Sequence, residues 1–185
     1  MDKKTNLKLL SFLGAMCLFL SAIEYSIPKP VPFFRLGLAN LPLILALYLL
    51  PAKEYFALAA LKILGQNLIT GALFSYICLF SLSGTMSAAL IMFILHKLFY
   101  RQKLISNVGI STGGALANDL SQIFIARLVL FGENARLIAP VLLLMSLITG
   151  ILLGVFSESF CKKSIWFETV KNMYSYETAE EKQNV

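Results

Sequence analysis

Ionisable and amide side chains interrupt the apolar runs of this 185-residue chain, and their types suit the binding of a small polar molecule. Lys62 and Gln66 are four residues apart, which places them on one face of a helix, and Asn118 and Gln122 share that spacing, with Asp119 beside them. Charged groups inside a membrane span usually face a cavity or a partner. Lys62 and Asp119 are predicted to lie at similar depth and to be able to pair directly, in a ligand site or as a structural ion pair.

A second polar group lies between the first two apolar runs. It consists of Glu24, prolines at 28, 30 and 32, Arg35 and Asn40. Each proline fixes its own φ and biases the residue before it toward an extended backbone, so the segment is predicted to be a stiff strap. Arg35 can bind a carboxylate or phosphate through its forked donors, or it can pair with Glu24. The segment is therefore either a lid over a ligand or a capping loop with a structural Glu–Arg pair.

The candidate substrate-binding residues come from both groups: Glu24, Arg35, Asn40, Lys62, Gln66, Asn67, Asn118, Asp119 and Gln122. No catalytic, metal or cofactor site is predicted. Aspartate occurs only at Asp2 and Asp119, too few for the clusters that hold Mg²⁺ on a diphosphate. His96 is the one histidine, which excludes a His-built metal site or triad. The chain has no ATP-binding loop, so primary active transport would need a separate ATPase.

Composition places the chain in a membrane. It is 58% hydrophobic and 14% charged, with a mean hydropathy of +0.76, whereas a soluble domain is about a quarter charged. The net charge of +6 is not gathered into one patch, so nucleic-acid binding is not predicted. The predicted partners are the lipid bilayer and a small-molecule substrate.

Six apolar runs have the length of membrane-spanning helices, about 17–25 residues. They cover residues 7–25, 33–50, 53–72, 77–99, 108–130 and 138–157. The break between the third and fourth runs is poorly marked, and the chain could instead break at Ser81–Gly84. The fold is thus predicted to be an all-α integral membrane protein with six transmembrane helices. Residues 1–157 form its membrane domain, and residues 158–185 form a cytoplasmic tail with a short interfacial helix followed by disorder.

The positive charges predict the orientation. If the N-terminus is cytoplasmic, eleven basic residues lie inside and three lie outside, a bias that favours both termini inside and an even number of spans. The protein is thus predicted to be a multi-pass protein of the cytoplasmic membrane, although the first run could also be a cleaved signal peptide. In this topology the polar residues of the third and fifth spans extend toward the outer side, which predicts an outward-facing pocket. Interhelical hydrogen bonding is the structural alternative.

Three motifs carry a resemblance to a known family. They are the segment from Glu24 to Asn40, the segment from Lys62 to Gly71, and the segment from Gly113 to Gln122. Together they resemble the bacterial family labelled heptaprenyl diphosphate synthase component I, also called Gx transporter, over about residues 7–157. The chain departs from the family's pattern at Lys62, Gln66, Asn118, Asp119 and Ser121.

The resemblance implies two functions. Similarity to the substrate-binding (S) components of energy-coupling-factor vitamin transporters implies a six-helix binder whose first external loop closes over its substrate. It also implies a transmembrane coupling subunit with separate ATPases, and a link to flavin supply. The family label implies instead a non-catalytic membrane subunit of a polyprenyl diphosphate synthase. A membrane scaffold without a ligand is the third reading.

Overall fold

The computed structural model describes residues 3–27, 37–100 and 105–173, and this part of the chain is almost entirely helical, with no strand. The helices are α1 (Lys3–Ser26), α2 (Leu41–Leu49), α3 (Ala52–Ile69), α4 (Tyr76–Leu95), α5 (Asn107–Ala126), α6 (Ala135–Lys163) and α7 (residues 165–173). A 3₁₀ turn, Leu38–Asn40, precedes α2. The predicted all-α fold class is confirmed.

Three stretches of the described chain are long and apolar enough to cross a membrane: Thr5–Ser26, Tyr76–Phe99 and Ala135–Lys163. They belong to α1, α4 and α6. The apolar stretch Leu38–Leu49 is shorter than a span. The third helix, α3, carries Lys53, Glu54 and Lys62, and these charges lower its hydropathy. The chain is therefore a membrane protein with three clear candidate spans, fewer than the six that its apolar runs predict.

The break between α3 and α4 falls at residues 70–75, and α4 runs unbroken through Ser81–Gly84. Gly71 adopts a left-handed conformation with φ of 65°, which suits a residue without a side chain. Ser75 then caps α4, since its hydroxyl accepts a hydrogen bond from the N–H of Ile77 at 3.4 Å. These residues explain why the break lies before Tyr76 and not within the fourth apolar run.

Helix α2 forms the centre of the core. Leu43, Ile44, Leu45 and Ala46 are fully buried, although successive residues point to different sides of a helix. A helix that is apolar all round must be covered on all sides. Pro51, which cannot continue the helical hydrogen bonding of α2, lies just beyond its C-cap residue, Leu50. The second apolar run is thus a short helix enclosed by its neighbours.

Glycines bring α5 and α6 close together. A Cβ atom added at Gly150 would lie 2.9 Å from Cα of Thr112, and one added at Gly154 would lie 2.5 Å from Cα of Val108. Close backbone approach at small residues is typical of helix packing in membranes. On the other side of α5, a Cβ at Gly113 would lie 2.6 Å from Cδ1 of Leu95 in α4. Helix α5 is therefore held tightly between α4 and α6.

We expect Gly154→Ala to destabilise the bundle by about 1–3 kcal/mol, the usual cost of overpacking. The added methyl group would meet backbone, which cannot rotate away, so α5 and α6 must separate. Gly113→Ala is the matched control, because its methyl group would meet a movable leucine side chain. Thermal unfolding in detergent measures both variants. Equal midpoints for the two would contradict this account of the α5–α6 contact.

The chain continues in regular structure past residue 157, where the membrane domain is predicted to end. Helix α6 extends to Lys163, and α7 follows after Ser164. Phe167 of α7 is buried, with its ring centroid 6.2 Å from that of Tyr48, which also lies 4.8 Å from His96. Helix α7 thus packs on one end of the bundle. The assignment of residues 158–185 as a cytoplasmic tail stays a prediction.

Candidate functional site

Glu24 holds the start of the turn that precedes α2. The N–H of Gly37 donates to Oε1 of Glu24 at 3.1 Å, and Glu24 is only 4% exposed. Gly37 has φ of 75°, a left-handed conformation that favours glycine. Two residues on, the thiol of Cys17 donates to the carbonyl of Ala39 at 3.6 Å. Helix α1 therefore fixes the backbone that carries Asn40.

Asn40, the last residue of the segment from Glu24 to Asn40, contacts α3. The ammonium group of Lys62 donates a hydrogen bond to Oδ1 of Asn40. Lys62 is 4% exposed, so its charge lies inside the bundle. A buried ammonium needs acceptors around it, because an unpaired charge in a low-dielectric interior is costly. This contact joins two candidate residues that are 22 positions apart in sequence.

A small polar cavity joins Asn40 to α5 and α6. Asn118 and Asp119 line it from α5, and the Nδ2 group of Asn118 donates to Oδ1 of Asp119 at 2.9 Å. Ser146 and Thr149 line it from α6. Its volume of about 10 Å³ suits roughly one water molecule. The cavity is near the midpoints of α5 and α6, where polar groups are costly unless they have partners.

Gly84 of α4 makes room for two of the predicted site residues. A Cβ atom there would lie 2.5 Å from Oδ1 of Asn118 and 2.7 Å from Nε2 of Gln122. Gln122 is 8% exposed, and its buried Nε2 group has no hydrogen-bond partner within the described chain. An unsatisfied buried donor costs about 1–3 kcal/mol, so Gln122 can gain stability from a partner that the described residues do not supply.

Gln66 and Asn67 are buried in α3, but they do not line the central cavity. Nδ2 of Asn67 donates to the carbonyl of Ile63 in its own helix at 2.8 Å, while its Oδ1 has no partner among the residues described. The carbonyl of Gln66 accepts from the hydroxyl of Thr70 at 3.0 Å. The structure therefore joins Lys62 to Asn40 by a hydrogen bond and places Asn40, Asn118 and Asp119 around one cavity. Gln122 lies beside Asn118 at Gly84, whereas Gln66 and Asn67 do not line that cavity.

Two parts of the sequence prediction stay predictions. Arg35 and the proline strap lie at residues 28–36, outside the described residues, so neither the lid nor the Glu24–Arg35 pair is tested. The direct pair of Lys62 with Asp119 is likewise untested. The shared neighbour Asn40, which contacts Lys62 and lines the same cavity as Asp119, places the two charges in one region.

Sequence reasoning missed the contribution of α6. Ser146, Thr149 and Leu153 line the cavity at intervals of three and four, the spacing of one helix face. Two hydroxyl side chains on one face of an otherwise apolar run were the available signal. The hydroxyl of Thr149 donates to the carbonyl of Met145 at 3.0 Å, which leaves its oxygen free to accept a hydrogen bond from a ligand or water.

Two larger cavities, each of about 230 Å³, lie near α7 and away from the predicted site. Charged residues of the first include Glu158 and Lys162, which pair on the surface of α6 at 2.7 Å, an ordinary exposed i,i+4 ion pair. The second is a mostly apolar groove between α1 and α7. The central cavity is smaller, but it alone among these three is lined by predicted site residues: Asn40 from the turn before α2, and Asn118 and Asp119 from α5.

We expect Glu24→Ala to destabilise the protein by about 1.5–3 kcal/mol, the range for a hydrogen bond to a charged group. The substitution leaves the N–H of Gly37 without its acceptor in a partly buried turn. Glu24→Gln keeps an oxygen acceptor at the same position, so its loss should be less than half as large. Thermal or denaturant unfolding measures both, and equal losses would show that the acceptor is not what matters.

The match to a protein-family model decides the classification. The model for heptaprenyl diphosphate synthase component I matches residues 13–160, most of the chain. The chain belongs to this family. The matched region runs from α1 nearly to the end of α6, so it includes the whole central site. Neither the curated proteins nor the solved structures give a match. The family description implies a second synthase component as a partner.

Proposed function

We propose that this member of the component I family is a membrane-embedded binding protein for the uptake of a small vitamin-like molecule, with a flavin as the first candidate. The observation that supports this most is the gathering of Asn40, Lys62, Asn118 and Asp119 near the middle of an apolar bundle. If these positions served packing alone, apolar side chains of similar volume would fill them at a lower free-energy cost than buried polar groups. A bound polar ligand would supply hydrogen-bond partners for these buried groups, which explains why they are polar.

The proposed topology has six spans in the cytoplasmic membrane, with both termini inside. It adds α3, α5 and the second apolar run, residues 33–50, to the three clear candidate spans; α2 is the described α-helical part of that run. Helix α2 needs no lipid contact in this arrangement, since the other helices cover it. The basic residues, eleven inside against three outside, support this orientation. The central site then lies near mid-membrane, where transporters commonly bind their substrates.

The chemistry of the site suits a ring that carries both hydrogen-bond donors and acceptors. Each asparagine amide donates and accepts, and Lys62 supplies a positive donor. The imide edge of a flavin alternates carbonyl oxygens with an N–H group, so it complements such a set. Gln122, whose Nε2 group is unpartnered in the described chain, would donate one further bond to a carbonyl.

Binding of a vitamin-sized molecule requires the bundle to open. The central cavity is only about 10 Å³, far below the volume of a typical ligand pocket. The helices around the site must therefore move apart before such a molecule can bind. Since the sequence has no ATP-binding loop, the energy for transport would come from a coupling subunit with separate ATPases.

The second candidate function is that of a non-catalytic membrane subunit for a heptaprenyl diphosphate synthase, and the family match supports it. Within the described residues, no group of three or more His, Cys, Asp or Glu side chains is placed to hold a metal ion. A synthase partner would then carry the metal-dependent chemistry.

Thermal stability of the purified protein tests the first function against the second. We expect a flavin or another vitamin in a panel to raise the unfolding midpoint, since a ligand that binds only the folded state stabilises it. Stabilisation by none of the panel, together with co-purification of a soluble prenyl synthase, would instead support the second function. If no compound stabilises the protein and no synthase co-purifies, the remaining function is that of a membrane scaffold that binds no ligand.

A further inference from the structure

The groove between α1 and α7 has the composition of a lipid site. Its apolar walls are formed by Leu9 and Phe12 from α1 and by Trp166, Val170 and Met173 from α7. The rings of Phe12 and Trp166 pack at a centroid distance of 5.2 Å. Both remain open to the surroundings, with exposed fractions of 52% and 38%.

The position of the groove sets what can reach it. Helix α1 begins a candidate membrane span at Thr5, and the last candidate span ends at Lys163, directly before α7. The groove therefore lies where two spans meet the membrane surface. Trp166 is the one tryptophan of the chain, and tryptophan is enriched at that depth of the bilayer.

The charges at this end of the bundle are mainly positive. Lys8 lines the groove and is exposed beside its apolar wall. The flanking sequence adds further lysines: Lys3, Lys4, Lys162, Lys163 and Lys171. Clusters of four to eight basic residues beside a span attract anionic lipids. An apolar groove with a lysine at its edge complements a molecule with a hydrocarbon chain and a negative headgroup.

We propose that the α1–α7 groove is a binding site for an anionic phospholipid. One acyl chain lies against Phe12, Trp166 and Met173, and the headgroup phosphate pairs with the ammonium group of Lys8. The site is separate from the central cavity, so it does not depend on the transport proposal. Its occupancy would fix α7 against α1 at the membrane surface.

Quenching of Trp166 fluorescence by brominated lipids tests this site directly, because the chain has a single tryptophan. The full protein is reconstituted in bilayers of unbrominated phosphatidylcholine. One series contains increasing fractions of brominated phosphatidylglycerol, and a second series contains increasing fractions of brominated phosphatidylcholine. One favourable lysine contact corresponds to about a fivefold preference. With that preference, brominated phosphatidylglycerol fills half of the sites at a mole fraction of about one sixth, whereas brominated phosphatidylcholine needs about one half. We therefore expect half-maximal quenching at about a threefold lower mole fraction of phosphatidylglycerol.

Variants separate the site from general surface charge. Lys8→Gln should bring the two quenching curves together, and Lys8→Arg should keep them apart. Lys53→Gln removes an exposed lysine that does not line the groove, so it should leave the preference unchanged. Coincident curves for the wild-type protein would overturn the proposal, as would a preference that survives Lys8→Gln. Absence of quenching by either lipid would also overturn it, by showing that protein covers the groove.

Discussion

Replacing Lys62 with methionine is expected to lower the affinity for the transported molecule by about 100-fold, the upper range for a lost hydrogen bond to a charged group. The unbranched methionine side chain is close to lysine in length and suits an apolar interior. The substitution removes the positive donor that contacts Asn40, with little change in packing volume. The affinity is measured by titrating the purified variant and wild-type proteins with the molecule that the stability panel identifies.

The matched control is Lys53→Met, which changes an exposed lysine on the same helix. Its affinity should equal that of the wild-type protein. If the Lys62→Met variant folds and binds the ligand as tightly as the wild type, Lys62 is not part of the binding site. A structural ion pair would give a different pattern, in which stability falls and affinity per folded molecule does not change.

Gly84→Ala is expected to lower ligand affinity tenfold or more, while the fold is kept. Its Cβ atom would lie 2.5 Å from Oδ1 of Asn118 and 2.7 Å from Nε2 of Gln122. Both contacts are the ends of side chains, so these residues can turn away without a shift of backbone. Such a turn would aim the two amides away from the ligand, and each lost hydrogen bond costs about 0.5–1.5 kcal/mol.

Gly113→Ala serves as the control for Gly84→Ala. It adds the same methyl group to the same α4–α5 contact, but against Leu95 and away from the polar residues. Affinity should be unchanged in this control, with unfolding midpoints of the two variants within a few degrees of each other. An equal loss of affinity in both would show that helix spacing, and not the amide positions, controls binding.

The helices follow from the sequence because their signals are local. The second apolar run predicts closely where α2 ends, whereas the pattern did not choose between two positions for the α3–α4 break, which Gly71 and Ser75 mark in the structure. The central place of α2 depends on how the other helices pack around it, and no local signal carries that information. The same holds for the number of helices that cross the membrane.

The sequence indicates which polar residues are candidates for the site, but it does not predict which of them lie in contact with one another. Spacing of four correctly places Asn118 and Gln122 near one another, since both would meet a Cβ at Gly84. The same spacing puts Gln66 on the face of Lys62 without saying which neighbour that face meets. The contact of Lys62 with Asn40 joins distant segments, and it depends on the left-handed turn at Gly37. Long-range contacts of this kind are set by tertiary packing.

The most direct test of the central claim is mass spectrometry of the small molecules that remain bound after gentle purification of the wild-type, Lys62→Met and Gly84→Ala proteins. We predict that the wild-type protein carries one vitamin-like molecule, such as a flavin, and that both variants lose most of it. The control variants Lys53→Met and Gly113→Ala should retain it. No small molecule on the wild-type protein, or the same molecule in equal amounts on all five proteins, would contradict a ligand site around Asn40, Lys62, Asn118 and Asp119.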